Sequence, residues 1–356
     1  MPDVEVAMKR LFLTVFLSAF AIDPCFSDPP ADPEIVSVCK IWDHAPHNAF
    51  TDLIRFRNIW WCVFREGKEH AGDIGKVRVL VSRDAKKWES ASLITRDKID
   101  LRDPKLSIMP NGRLMLIMGG SFYDANNSYL SRTPYVAFSD SGLIWTRPEK
   151  LLAEDHWLWR VTWHQGYGYS ISKMGNGRDP RRVMLYRTTD GRKWDWITEF
   201  RAIPAWPNEA TIRFIEDEMV VLLRRNKTAW IGSSQPPYTD WQWEDSGFQV
   251  GGPNFIQLPD GTLWAAGRRY GEHPTQVLAR MTRNSYQPVI TLPSGGDCSY
   301  PGLVWHKGLL WMSYYSSHEG RSSIYLAKIR IPLVGDAVEP GAVLSSRRRG
   351  ISNVSE

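Results

Sequence analysis

The sequence predicts an all-β chain folded as a six-bladed β-propeller of four-stranded antiparallel blades. Composition points there first: 17 Trp, 27 Gly and 23 Pro, with no long segment of helical period, describe strands joined by many turns. A hairpin unit then recurs six times, each copy an apolar strand, a turn carrying Gly, Asn or Asp, and a second apolar strand. The turns are spaced by roughly 43 to 55 residues, the period of a propeller blade. One such unit leaves both faces of its sheet uncovered, and six units stacked around an axis cover them.

Taken in order, residues 1–27 read as a secretory leader outside the fold. Lys9 and Arg10 precede an apolar run from Leu11 to Ile22, and Cys25, Phe26 and Ser27 form a small-residue exit. The run is too short to span a bilayer, so no integral membrane segment is expected once the leader is removed. The expected localisation is secreted or periplasmic. Residues 28–333 form the propeller, and 334–356, with Arg347, Arg348 and Arg349, a polar tail.

The six hairpins are TDLIRFRNIWWCVFR (51–65), DPKLSIMPNGRLMLIMGG (103–120), RVTWHQGYGYSISK (160–173), EATIRFIEDEMVVLLRR (209–225), PNFIQLPDGTLWAAGRR (253–269) and YPGLVWHKGLLWMSYY (300–315). A more polar strand trails each, from VRVLVSRDAKKW to SSIYLAKIRIPL. Three of these end in SRDAKKW (82–88), SDSGLIW (139–145) and TTDGRKW (188–194), where a hydroxyl and a carboxylate can bond the turn backbone while the Trp seals a joint.

A net charge of +5 is modest and the arginines are dispersed, which excludes a nucleic-acid stripe and suits a small anionic partner. Cys25 would leave with the leader. Cys39, Cys62 and Cys298 remain, and the latter two are expected to be buried thiols. No Cys/His spacing indicates zinc, and no motif calls for a cofactor or metal.

In a propeller the first residues of each innermost strand meet at one mouth of the channel. Those positions are Thr51 or Asp52, Asp103, Arg160, Glu209, Asn254 and Tyr300. The ends of the second strands add Arg65, Arg224 or Arg225, and Arg268 or Arg269. Several guanidinium groups around a mouth can fork onto a carboxylate, and neighbouring acids can transfer protons. The alternative is a ring of salt bridges that closes the channel.

The order of these elements resembles the sialidase superfamily over essentially all six blades, and the three rim turns resemble its Asp-box repeats, each one residue short. In CVFREGKEHAGD, Arg65 and Asp73 match the first-blade arginine and loop aspartate; Arg224 follows Glu209 by fifteen residues; Arg268 and then Tyr300 follow in the last blades. Where that family has its first triad arginine, this chain reads AFTDLIRF, and Arg160 or Arg102 would have to substitute.

The resemblance implies an exo-acting glycoside hydrolase for a terminal sialic acid or related acidic sugar. Tyr300 would be nucleophile, Glu209 its base and Asp73 the acid/base, with Asp103 its rival. Arg224 and Arg268 would hold the substrate anion, with Arg65 nearby. A tyrosine suits an anomeric carbon that bears a carboxylate, because an attacking Asp or Glu would meet like charge. The expected partner is an acidic glycan or sialoglycoconjugate, and the expected state a monomer. Competing readings are hydrolysis or lyase chemistry on another acidic sugar, and a non-catalytic propeller that binds glycans or protein through Trp157, Trp159 and Trp163.

Overall fold

The computed structural model describes residues 32–175, 182–201 and 203–334. The leader at 1–27 and the tail beyond Val334 lie outside the described residues. Those described form 25 strands and no helix, in six antiparallel sheets. Blades 1 to 5 start from the inner strands His47–Phe56, Asp100–Ile108, His156–Leu158 with Thr162–His164, Ala210–Ile215 and Val250–Gln257, and each runs outward in chain order. In blade 3 the inner strand is broken at 159–161, and both pieces pair with Tyr167–Met174.

Blade 6 is assembled from both ends of the described chain. Ser299–His306, Leu309–Ser316 and Ser323–Arg330 are joined by Glu34–Trp42 as the outermost strand. The first strand of the fold therefore closes the ring by pairing with the last.

Six apolar clusters lie at the six joints between consecutive blades. Trp61 and Val63 of blade 1 meet Leu106 and Leu116 of blade 2; Trp311 and Leu326 of blade 6 meet Leu53 and Cys62 of blade 1. Side chains alternate across each pleated sheet, so every blade feeds the clusters on both of its faces. The rim turns hold the outer joints. Ala85 N, Gly142 N and Gly191 N donate to Ser82 Oγ, Ser139 Oγ and Thr188 Oγ1 at 2.8–2.9 Å, and a Cβ on Gly142 would overlap the ring of Trp61. Cys62 and Cys298 are buried thiols, as expected, and Cys39 is exposed.

Four inner strands share an irregularity that the repeats do not announce. Ladder register slips between Ala49 and Asp52, Arg102 and Lys105, Gly251 and Asn254, and Ser299 and Gly302. At each slip a residue has φ near the left-handed helical value, Phe50 at 65°, Asp103 at 49°, Gly252 at 55° and Tyr300 at 49°, and at the last slip Ser299 is also positive, at 156°. These are β-bulges, which turn one side chain out of the alternation. The inner-strand starts are thereby split into two layers, a cleft above and a polar belt below.

The belt joins neighbouring inner strands. Thr51 Oγ1 donates to Tyr300 O at 2.7 Å, Asn254 Nδ2 to Pro301 O at 2.8 Å, Thr211 Oγ1 to Pro253 O at 2.8 Å and Thr162 Oγ1 to Ile212 O at 2.7 Å. The Asp52 carboxylate accepts from Leu106 N at 2.8 Å and from Arg160 Nη1 at 2.7 Å on both oxygens.

Candidate active site

Tyr300 and Glu209 reach each other from different blades. The bulge lifts Tyr300 out of the inner strand of blade 6, and Ser299 Oγ anchors it by donating to Gly251 O at 2.6 Å. Its phenol donates to Glu209 Oε1 at 2.6 Å. Arg224 Nη1 donates to the same oxygen at 2.5 Å, and Gly252 N donates to Oε2 at 2.7 Å. Burial raises the Glu209 carboxyl, but the Arg224 charge, the phenol and the Gly252 amide outweigh it and hold the group below the ordinary glutamate range. Burial, then the Glu209 and Asp103 carboxylates, push the Tyr300 phenol well above its usual value. The pair thus rests as a neutral phenol hydrogen-bonded to an ionised carboxylate, the arrangement in which the acid can take the phenolic proton as the oxygen attacks.

Both groups line a cleft of about 310 Å³, together with Arg102, Asp103, Arg224 and Arg268. The ring of Tyr270 backs two of the arginines, with the guanidinium of Arg224 at 5.6 Å and that of Arg268 at 5.0 Å from its centroid. Arg102 stands over Phe50 at 5.0 Å. Nε of Arg102 and of Arg268 and Oδ1 of Asp103 are buried without a hydrogen-bond partner. Burial raises the Asp103 carboxyl against the lowering pull of Arg102 and Lys105. Cations with unused donors beside a carboxyl that favours its proton can hold an anion and protonate a leaving group.

Three of the expected site residues are elsewhere. Arg65 is completely buried, with Nε on Asp100 Oδ1 at 2.6 Å, Nη2 on Asp73 Oδ1 at 2.6 Å and Nη1 on Glu69 O at 2.6 Å. All three arms of that fork are occupied by this loop and by blade 2, which leaves none for a substrate. Asp73 is correspondingly tied to Arg65 and to Lys68 N at 2.7 Å and does not line the cleft. Arg160 does not line this cleft: its Nη1 is held by Asp52 in the belt, its Nε is buried without a partner, and it lines a separate, smaller pocket that also touches Tyr300 and Glu209. The salt-bridge alternative therefore describes the lower layer and the cleft the upper one.

The rival assignments separate cleanly. Arg268 faces the cleft and Arg269 is exposed; Arg224 faces the cleft and Arg225 pairs with Asp245 at 3.1 Å. Trp157 and Trp159 form one wall with buried, unpartnered Nε1 atoms, whereas Trp163 donates to Ser107 Oγ at 3.2 Å outside it.

Lys105 and His70 had no sequence signal. Lys105 is buried beneath Tyr300, with its ammonium 5.3 Å from the ring centroid. Burial brings it down to about 8, against the opposing pull of Asp52. His70 lies in an exposed loop whose return to the mouth depends on a distant partner, Asp297.

No sequence-family model matches the chain, and no curated protein does. Solved structures do match. A protein of unknown function from Dyadobacter fermentans superposes with a TM-score of 0.74 at 19% identity, over 84% of this chain and 99% of that one. A Trypanosoma rangeli sialidase superposes at 0.65 with 10% identity over 80% of this chain; the match spans 55% of the sialidase. An α-L-arabinofuranosidase from Fusarium graminearum superposes at 0.65 with 14% identity, over 83% and 98% of the two chains. No helix among the described residues is long and apolar enough to cross a membrane. The chain has a six-bladed propeller fold in common with glycoside hydrolases of more than one specificity.

Proposed function

We propose that the protein is an exo-acting glycoside hydrolase of sialidase type for a terminal sialic acid or a related acidic sugar. One observation carries this reading: Glu209 Oε1 accepts both the Tyr300 phenol and Arg224 inside a cleft lined by four arginines, Arg102, Arg132, Arg224 and Arg268. Tyr300 attacks the anomeric carbon while Glu209 takes its proton. Arg102, Arg224 and Arg268 hold the sugar carboxylate, with Arg102 in place of the arginine missing from the first blade. Asp103 replaces Asp73 as acid/base, because it lines the cleft and favours its protonated form. The leader pattern of residues 1–27 supports action outside the cytoplasm.

The test is turnover of a fluorogenic sialoside and of a panel of acidic glycans and arabinosides by wild type and Tyr300→Phe. The expected loss in kcat is at least about 10²-fold to 10⁴-fold, the range for losing a positioned proton-transfer partner, because the variant removes the attacking oxygen together with the proton that Glu209 takes. Unchanged turnover in the phenylalanine variant removes the nucleophile from Tyr300. Cleavage of neutral arabinosides alone assigns attack to Glu209, since a carboxylate meets no like charge on such a sugar.

A further inference from the structure

At the seam between the first and last blades, beside the cleft, three side chains from separate parts of the chain converge on one point. His47 opens the inner strand of blade 1, His70 lies in the loop after its second strand, and Asp297 is in the segment leading to Tyr300. His47 Nε2 and His70 Nδ1 both lie against Asp297 Oδ2, at 2.9 and 2.7 Å. We propose that His47, His70 and Asp297 form a binding site for a first-row divalent transition cation, zinc above all.

The dimensions fit. The three donor atoms lie within 4.8 Å of one another. Ligands at about 2.0–2.2 Å in a tetrahedron around zinc stand roughly 3.3 Å apart, so an ion enters with shifts of a few tenths of an ångström for the two hydrogen-bonded contacts and with the two imidazole nitrogens closing by up to about 1.5 Å, which the exposed His70 side chain can supply. Two imidazoles and one carboxylate suit zinc and its neighbours, whereas calcium and magnesium take oxygen ligands. The other carboxylate oxygen is already oriented from outside: Oδ1 accepts the Tyr315 hydroxyl at 2.8 Å and lies 3.5 Å from Arg268 Nη1. Such an outer bond is what steers a ligating carboxylate. His70 is half exposed, which leaves a path in from solvent, and three protein ligands leave a position for water.

Binding needs each imidazole to turn a lone pair toward the ion. The proton now facing Oδ2 resides instead on the other ring nitrogen, and Asp297 binds as the carboxylate. Asp297 also draws on Arg268, one of the arginines that line the cleft. An ion that neutralises Asp297 frees Arg268 for a substrate anion, and it fastens blade 1 to the segment carrying Tyr300.

The experiment uses the untagged full chain stripped with a chelator and titrated with Co²⁺, followed by its visible absorption, and with Zn²⁺, followed by calorimetry and thermal melting. The expected result is one ion per chain, with the absorption of a low-coordinate Co²⁺–imidazole site. Zn²⁺ at about 100 times its dissociation constant should raise the folding equilibrium constant about 100-fold, and Ca²⁺ should not raise it. Tyr315→Phe weakens Zn²⁺ binding about 10-fold, and His70→Ala abolishes the Co²⁺ band. No band in the wild type, or a band unchanged in His70→Ala, overturns the proposal. His70 is on the surface, so that variant remains decisive if His47→Ala fails to fold. Because these readouts involve no turnover, failure of the hydrolase reading leaves them unaffected.

Discussion

Two carboxyl groups in the cleft are driven in opposite directions by their surroundings, and the roles proposed for them rest on that difference. Glu209 receives Arg224, a phenol and an amide, and stays ionised. Asp103 is buried on a bulge with one oxygen unpartnered, and keeps its proton longer than an ordinary aspartate. Catalysis that needs Glu209 ionised and Asp103 protonated falls on the acid side as Glu209 takes a proton, and on the alkaline side as Asp103 loses one. Asp103→Asn should therefore erase the alkaline limb of the kcat/KM profile and lower the rate by about 10²-fold to 10⁴-fold on substrates with poor leaving groups. A profile that keeps its alkaline limb in this variant would exclude Asp103 as the acid. Stability gives an independent readout. A folded-state pKa raised above the unfolded one contributes stability below the unfolded pKa that is lost as pH rises through the folded pKa. The asparagine variant carries no such loss, so it should melt no lower than wild type near pH 7, and relatively higher as pH increases.

The element that builds the site is the bulge at the head of an inner strand, and Gly252 tests it. Its positive φ aims an amide at Glu209 Oε2, and a Cβ there would come within 2.4 Å of Ser299 Oγ and 2.9 Å of Tyr300 N. Gly252→Ala should cost about 1–3 kcal/mol in denaturant unfolding and lower turnover together with it, because the strain falls on the segment that holds Tyr300. Wild-type stability and rate in this variant would show that the bulge is dispensable. The same element explains what could be read in advance. Hairpin period and turn residues are local, so the six blades were legible from sequence. Strand starts were also legible, but alternation alone puts Asp52, Asp103, Arg160 and Tyr300 in one ring. The bulges divide that ring, and their trace is Asp103, Gly252 and Tyr300 each standing before proline, a pattern visible only once three blades are aligned. Arg65 misled for another reason: its spacing to Asp73 is local, while the partner that buries it, Asp100, comes from the next blade.

At the scale of the whole molecule, stability is circular, because each blade covers one face of each neighbour and no blade is complete alone. The ring is closed by Glu34–Trp42 pairing with Ser323–Arg330 along a ladder from Glu34 opposite Arg330 to Trp42 opposite Ile324. That strand also contributes Trp42 to the cluster joining blades 6 and 1, where its indole N–H donates to Glu66 Oε1 at 2.7 Å. Removing residues up to 42 takes away this ladder and cap together and leaves Ser323–Arg330 as an unpaired edge, which invites pairing between molecules. At about 1 kcal/mol net for each ladder bond, several kcal/mol are lost. The truncated chain should melt at least about 10 °C lower and associate at high concentration. A peptide spanning 33–43 added in trans should restore the melting temperature by adding its strand to the open edge. Since the closing strand sits in the blade that carries Tyr300, the truncated chain should also lose turnover before it loses β-structure by circular dichroism. A truncated chain with wild-type melting and activity would mean that the six joints hold the ring without its clasp.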